Sequence, residues 1–231
     1  MKLPIEKEND LRYEVKVPAD GIPVYEIRKW VNLHPHGFQN TYPPRRVNNL
    51  YFDTIDYTNL QYHLNGYFER SKVRLRWYRE DTSFSSSNLE IKSKFGNLGN
   101  KATYKIQKEI DLVYFSHGEI IQTISNQMPS EKAFFLINYQ PVMINYYQRE
   151  YFESLQNGIR LTIDYDHFSF DQRFSDKPNI TFSEPFHNSP IIEIKAPKDK
   201  YKIISSILSS FPTNPYPFSK YLDGMLSILS R

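Results

Sequence analysis

The sequence contains no cysteine in 231 residues, which excludes disulfides, thiolate zinc sites and cysteine nucleophiles. No apolar run approaches the ~18 residues of a membrane span. The opening residues, Met1-Lys2-Leu3-Pro4-Ile5-Glu6-Lys7-Glu8, lack the apolar core of a secretory signal. The expectation is a cytoplasmic protein with no membrane span. Net charge is only +3, too little for a polycation that coats nucleic acid generally. Hydrophobic residues make up only 39%, yet the length is ample for a real core. No internal repeat or interior linker breaks the chain, so residues 1–231 read as one domain.

What is plentiful is aromatic side chain, with 18 Tyr and 16 Phe. Aromatic and β-branched runs between polar turns predict a mainly β (α+β) protein. The organising stretch is Arg70-Ser71-Lys72-Val73-Arg74-Leu75-Arg76-Trp77-Tyr78. Successive side chains of a strand point to opposite faces. Arg70, Lys72, Arg74 and Arg76 therefore share one face, while Val73, Leu75 and Trp77 share the other. Like charges in register repel, and these four leave Arg74 and Arg76 with no carboxylate among their neighbours on the strand. The face calls for an anionic partner.

Other strands repeat the device. Glu90, Lys92 and Lys94 alternate with Leu89, Ile91 and Phe95; Glu14 and Lys16 alternate with Tyr13, Val15 and Val17. Arg160, Thr162 and Asp164 oppose Ile159, Leu161 and Ile163, and Glu193 with Lys195 alternates with Ile192 and Ile194. The sum is a sheet with one greasy face and one cationic face dotted with carboxylates. Helices are predicted over residues 22–33 with Asp20 as cap, 56–65, 116–127 and 200–211, with a last one after Ser219. Residues 81–88 read as a solvated loop and 171–189 as loop-rich. Tyr51, Trp77 and Tyr78 read as packing residues, and Asp53 as a cap for the helix after it.

Curling such a sheet hides the cationic face in a lumen and turns the apolar face outward, where helices can cover it. A charged lumen is costly unless hydrated or filled by a polyanion. Phosphates match it, because Arg forks bind them bidentately and Lys supplies point charges. Carboxylates among them can hold Mg2+ or Mn2+, which prefer oxygen ligands and share phosphate oxygens.

These residues carry a resemblance. Arg12-Tyr13-Glu14-Val15-Lys16, Leu50-Tyr51-Phe52-Asp53-Thr54, Arg70-x-Lys72-x-Arg74-x-Arg76-Trp77-Tyr78 and Leu89-Glu90-Ile91-Lys92-x-Lys94 occur in order. Tyr147-x-Arg149-x-Tyr151, Arg160-x-Thr162-Ile163-Asp164, Glu193-x-Lys195 and Ser219-Lys220-Tyr221 follow. Together they resemble the VTC domain, the catalytic domain of the vacuolar transporter chaperone polyphosphate polymerase, in the triphosphate tunnel metalloenzyme superfamily. The resemblance spans roughly Arg12 to Ser227. It implies an eight-stranded antiparallel tunnel barrel with a cationic lumen, flanked by helices. It also implies a Mn2+- or Mg2+-dependent enzyme that passes the γ-phosphoryl group of ATP, or another nucleoside triphosphate, to a growing polyphosphate chain.

Carried over position by position, Arg74, Arg76, Lys92, Arg149 and Lys220 would be catalytic. Lys16, Arg70, Lys72, Lys94, Lys101, Tyr147, Arg160, Lys195 and Ser219 would bind substrate, and Glu193 with Glu14 would hold metal. Hydrolytic and cyclase relatives in the superfamily begin with Glu-x-Glu-x-Lys, and here Arg12 occupies the first Glu position. That departure favours the polymerase branch over a triphosphatase or polyphosphate hydrolase. A non-catalytic polyphosphate or nucleotide sensor is the reading from another class, and a protein partner is compatible with any of the three. Nucleic acid fits least, because a folded RNA cannot reach enclosed cations.

Overall fold

The computed structural model describes residues 12–96, 98–155 and 158–230. In chain order the elements are β1 (Arg12–Pro18), α1 (Val24–Leu33), β2 (Phe38–Thr54), α2 (Thr58–Leu64), β3 (Glu69–Tyr78) and β4 (Ser83–Phe84). Then come β5 (Ser87–Phe95), β6 (Leu98–Ile106), β7 (Ile110–Asp111), α3 (His117–Ser125), α4 (Ser130–Ala133) and β8 (Tyr139–Ser154). The last are β9 (Ile159–Asp171), β10 (Ser183–His187), β11 (Ile191–Pro197), α5 (Tyr201–Leu208) and α6 (Lys220–Leu229). Eight strands form one antiparallel sheet in the order β1-β11-β9-β8-β2-β3-β5-β6, with β10 added beside β9.

The sheet curls into a half-barrel flanked by helices. Lys72 on β3 lies close enough to Lys16 on β1 to have its proton affinity lowered, and Lys92 on β5 senses Glu14 on β1 and Glu193 on β11. Those strands are far apart along the sheet, so their side chains meet across a lumen. Among the described residues no ladder joins β1 to β6, the two ends of the sheet.

Alternation decides which residues go where. The odd positions Val73, Leu75 and Trp77 of β3 face outward and pack with Leu89, Ile91, Ile120, Ile124 and Leu136 under α3 and α4. On the opposite wall, Leu161 and Ile163 of β9 and Ile192 and Ile194 of β11 are covered by Ile27 and Val31 of α1 and by Ile204 and Ile207 of α5. Each such aliphatic side chain contributes about 1.5–3 kcal/mol by leaving water. A third cluster joins Leu60 of α2 to Tyr221, Met225 and Ile228 of α6 over Val142 and Met143 of β8. Gly224 lets α6 come this close, since a Cβ there would meet Met143 Sδ at 2.5 Å.

Local chemistry sets the helix starts. Ser116 and Glu119 form a reciprocal capping box on α3, and the Ser219 hydroxyl accepts from Leu222 N at 3.1 Å on α6. Asp53 caps α2 from a distance, its oxygens accepting from the backbone of Thr54, Asn59 and Leu60. Asp20 does not cap α1, whose N-cap is Pro23; its carboxylate accepts from Tyr216 Oη at 2.9 Å. The stretch 81–88 is not all loop, because Ser83–Phe84 pairs with Ile110–Asp111, and 171–189 contains β10. Among the described residues no helix is long and apolar enough to cross a membrane.

Candidate functional site

The lumen holds Glu14 and Lys16 of β1, the even positions of β3 and β5, Arg160, Thr162 and Asp164 of β9, Asn49 and Tyr51 of β2, Asn145, Tyr147 and Arg149 of β8, and Glu193 and Lys195 of β11. This follows from the registers, which place Lys72 opposite Lys92 and Lys92 opposite Lys101. Lys16 lies opposite Glu193, and Arg149 opposite Asp164. Two buried carboxylates organise most of the arginines. Glu90 accepts from Arg74 Nε at 2.7 Å and Nη2 at 2.5 Å, lies 3.8 Å from Arg76 Nη1 and 2.9 Å from Lys101 Nζ. Asp164 accepts both Arg149 Nε at 2.5 Å and Nη2 at 2.6 Å, and Lys220 Nζ at 2.7 Å.

This corrects the expectation for Arg74 and Arg76. Their own strand offers no carboxylate, but the neighbouring strand places Glu90 directly opposite Arg74. Arg76 also donates from Nε to Asn49 Oδ1 at 2.9 Å and from Nη2 to Tyr147 Oη at 3.3 Å. Tyr51 faces the lumen rather than serving only in packing, and Arg74 Nη1 donates to its hydroxyl at 3.2 Å. Trp77 does pack, stacked on Phe84.

The electrostatics follow the pairing. Burial opposes the charges of Arg74 and Glu90, but Glu90 with Tyr51 and Tyr147 raises the Arg74 pKa, and Arg74, Arg76 and Lys101 together hold the Glu90 pKa far below the carboxylate range. Burial is likewise outweighed at Asp164 by Arg149 and Lys220, which hold its pKa down. At Glu193 it is outweighed by Lys195 and Arg149. Tyr147, also buried, has its pKa lowered by Arg149 and Arg76.

Lys72 and Lys92 behave in the opposite way. Among the described residues neither has a carboxylate partner; Lys72 Nζ donates to Ser219 Oγ at 2.8 Å. Burial, then Lys16 and Lys92, push Lys72 well below its usual range. Burial, then Arg74, push Lys92 down to about 7.

Glu14 and Glu193 come together on β1 and β11, and Lys195 Nζ lies 3.4 Å from Glu14 Oε2 and 2.7 Å from Glu193 Oε1. Burial and Glu193 raise the Glu14 pKa, but Lys16, Lys195 and Lys92 prevail and lower it. Thr162 lies opposite Glu193, and its buried hydroxyl has no partner. Two ionised carboxylates and an unpartnered hydroxyl are hard oxygen donors that fit Mg2+ or Mn2+ when phosphate oxygens complete the shell. Among the described residues no three His, Cys, Asp or Glu side chains converge into a metal cage.

Other expected site residues lie at the rims. Arg160 is 57% exposed and 3.8 Å from Glu153, with Asp164 turned to Arg149 and not to it. Lys94 is exposed opposite Arg70, whose Nε is buried without a partner. Lys16 is not at a rim but in the lumen, 3.3 Å from Glu14. Sequence reasoning missed Asn49 and Asn145, whose side chains join at 2.8 Å in the lumen. Asparagines inside the short apolar runs Val47–Phe52 and Val142–Tyr147 were the available signal.

A curled antiparallel sheet around a charged lumen is the triphosphate tunnel fold. A proposed adenylate cyclase from Vibrio parahaemolyticus matches 97% of this chain and 100% of its own, at 12% identity and a TM-score of 0.53. A proposed adenylyl cyclase from Hippeastrum, described as having a dominant triphosphatase activity, matches 94% of this chain and 96% of its own at 15% identity and a TM-score of 0.52. A third, from Bacillus halodurans, matches 91% of this chain and 94% of its own at 14% identity and a TM-score of 0.50. At such identities the likeness is one of fold. No curated protein matches the sequence significantly. The chain belongs to the VTC-domain family, whose profile matches residues 12–229.

Proposed function

We propose that this chain is a metal-dependent phosphotransferase, a polyphosphate polymerase that passes the γ-phosphoryl group of ATP to the end of a polyphosphate chain. Family and fold support the broader role in triphosphate or polyphosphate chemistry. The observation that carries the finer reading is the state of the lumen carboxylates. Glu14, Glu90, Asp164 and Glu193 are all held ionised by lysines and arginines, with pKa values below the usual range. Each of these four is turned to lumen cations, Glu90 to Arg74 and Lys101, Asp164 to Arg149 and Lys220, and Glu14 and Glu193 to Lys195. None of the four is therefore free to take a proton from water, as a hydrolase with a general base requires. A terminal phosphate oxygen is already anionic and needs no such base.

The protein's task is then positioning and neutralisation of charge. Lys72 and Lys92 supply charge that an entering polyanion restores to them. Arg76 and Arg149, steadied by Asn49 and Asp164, direct N–H groups along the lumen wall, with Lys16, Lys101, Lys195 and Lys220 around them. Glu14 and Glu193, with Thr162 beside them, would hold Mg2+ or Mn2+, which neutralises phosphate oxygens.

The test is to incubate the purified protein with ATP and Mn2+, resolve the products on a polyphosphate-staining gel, and assay ADP and free phosphate in parallel. The reading expects a ladder with matching ADP and little phosphate. Free phosphate without a ladder makes water the acceptor. Tight polyphosphate binding with no turnover makes the chain a sensor.

A further inference from the structure

The lumen cations recognise phosphate, and phosphate is common to a nucleoside triphosphate and to inorganic polyphosphate. Telling donor from product requires a group that reads something other than charge. Such a group stands at the mouth of the tunnel formed by β2, β3 and β8. Exposure falls along this wall from Tyr42 at 58% through Arg149 at 12% to Tyr147 at 1%.

At the outer end the Arg45 guanidinium lies 4.2 Å from the ring centroid of Tyr78, 4.7 Å from that of Tyr151 and 5.8 Å from that of Tyr42. Its Nε donates to Tyr151 Oη at 2.9 Å. The arrangement is built by the backbone. Tyr42 pairs with Tyr151 and Arg45 with Arg149, so three steps on β2 meet two on β8. Pro43 and Pro44 occupy that bulge, where missing N–H groups cost no ladder bonds. The bulge brings Arg45 onto the lumen face, opposite Arg149.

Among the described residues Arg45 has no carboxylate partner, unlike Arg74 and Arg149. Tyr42 stands edge-on to Tyr151 with ring centroids 5.7 Å apart. The aromatic–guanidinium contacts continue inward, the Arg149 guanidinium lying 6.0 Å from the ring centroid of Tyr151 and 5.3 Å from that of Tyr147. Planar groups thus alternate from solvent to the phosphate-binding wall.

We infer that Tyr42, Arg45, Tyr78 and Tyr151 form a stacking platform for the base of a nucleoside triphosphate, whose phosphates point inward along Arg149. This rests on the tunnel being a triphosphate site. Every base has a π-face, so stacking is tolerant of base identity. The platform separates nucleotide from polyphosphate, and discriminates little between ATP and GTP.

The test compares ATP with inorganic tripolyphosphate by calorimetry in Mg2+ buffer, using Tyr42→Ala, Tyr78→Ala and Arg45→Lys. The first two remove rings without removing charge, and the third keeps charge without the planar face. Thermal melts confirm that each variant is folded. ATP affinity should fall by about fivefold or more, with tripolyphosphate affinity held within about twofold. Equal losses for both ligands, or no loss for ATP, overturn the platform while leaving the tunnel site standing. A wild-type protein that binds neither ligand overturns the tunnel reading and the platform with it.

Discussion

Lys72 and Arg74 sit two residues apart on one face of β3, yet the lumen treats them oppositely. Arg74 is held by Glu90 across the sheet, and its charge is reinforced. Lys72 meets a serine hydroxyl and other cations, and its charge is suppressed by burial, Lys16 and Lys92. Burial is common to both, so the partner on the neighbouring strand decides. The same division runs around the tunnel. Arg74 and Arg149 are tied to carboxylates and give the wall its shape. Lys72 and Lys92 are left to be completed by an anion.

The largest effect should come from removing an organising carboxylate. Glu90→Gln leaves Arg74, Arg76 and Lys101 without their shared anion. Breaking a buried pair costs about 3–5 kcal/mol, so thermal melting should show Tm lower by roughly 10 °C. An unchanged Tm would mean that Glu90 does not hold those cations. Lys92→Met should do the reverse, replacing an unpaired half-buried cation by an apolar side chain of similar length. We expect Tm to hold or rise while calorimetry shows tripolyphosphate affinity down by about tenfold or more. A large stability loss with affinity intact would reverse the roles assigned to the two classes.

The two kinds of cation also differ in their response to pH. Lys92 titrates near 7 in the folded protein and at about 10.4 when unfolded. Between those values the unfolded chain binds more protons, so this lysine's contribution to stability grows with rising pH and is lost as pH falls from about 10 toward 7. Lys72 acts in the same direction. Denaturant titrations in phosphate-free buffer should therefore show a steeper rise from about pH 7 to 10 for wild type than for a Lys72→Met/Lys92→Met variant. Equal slopes would rule out the lysine pair as the cause. The smallest effect belongs to the rim. Arg160→Ala removes a contact of 3.8 Å made by an exposed side chain, worth under about 1 kcal/mol. Tripolyphosphate affinity should change by less than about twofold, and a tenfold loss would move Arg160 into the binding wall.

The alternation of Arg70–Trp77, Leu89–Phe95 and Ile159–Asp164 made the two-faced sheet legible, because strand periodicity is written residue by residue. The family resemblance, through Ser219-Lys220-Tyr221, pointed to Lys220 as a tunnel residue, and the structure puts it at the first position of α6 behind the Ser219 cap. What was hidden depends on register between distant segments. Glu90 was visible as a lumen residue, but not as the partner of Arg74. Asp164 was visible beside Arg160, but its contacts are with Arg149 and, from 56 residues away, Lys220. Arg45 gave no signal of its own, because nothing local tells that Pro43 and Pro44 form a bulge within β2 that turns it toward Arg149.

The most direct test of the central claim is proton uptake on anion binding. Tripolyphosphate is titrated calorimetrically into the protein at about pH 8 in two buffers of different ionisation enthalpy, and the difference in heat gives the protons exchanged. Wild type should take up about one proton or more as Lys92 and Lys72 regain charge, and Lys92→Met clearly less. Binding with no proton uptake would contradict that claim, since the lysines would then carry their charge before the anion arrives.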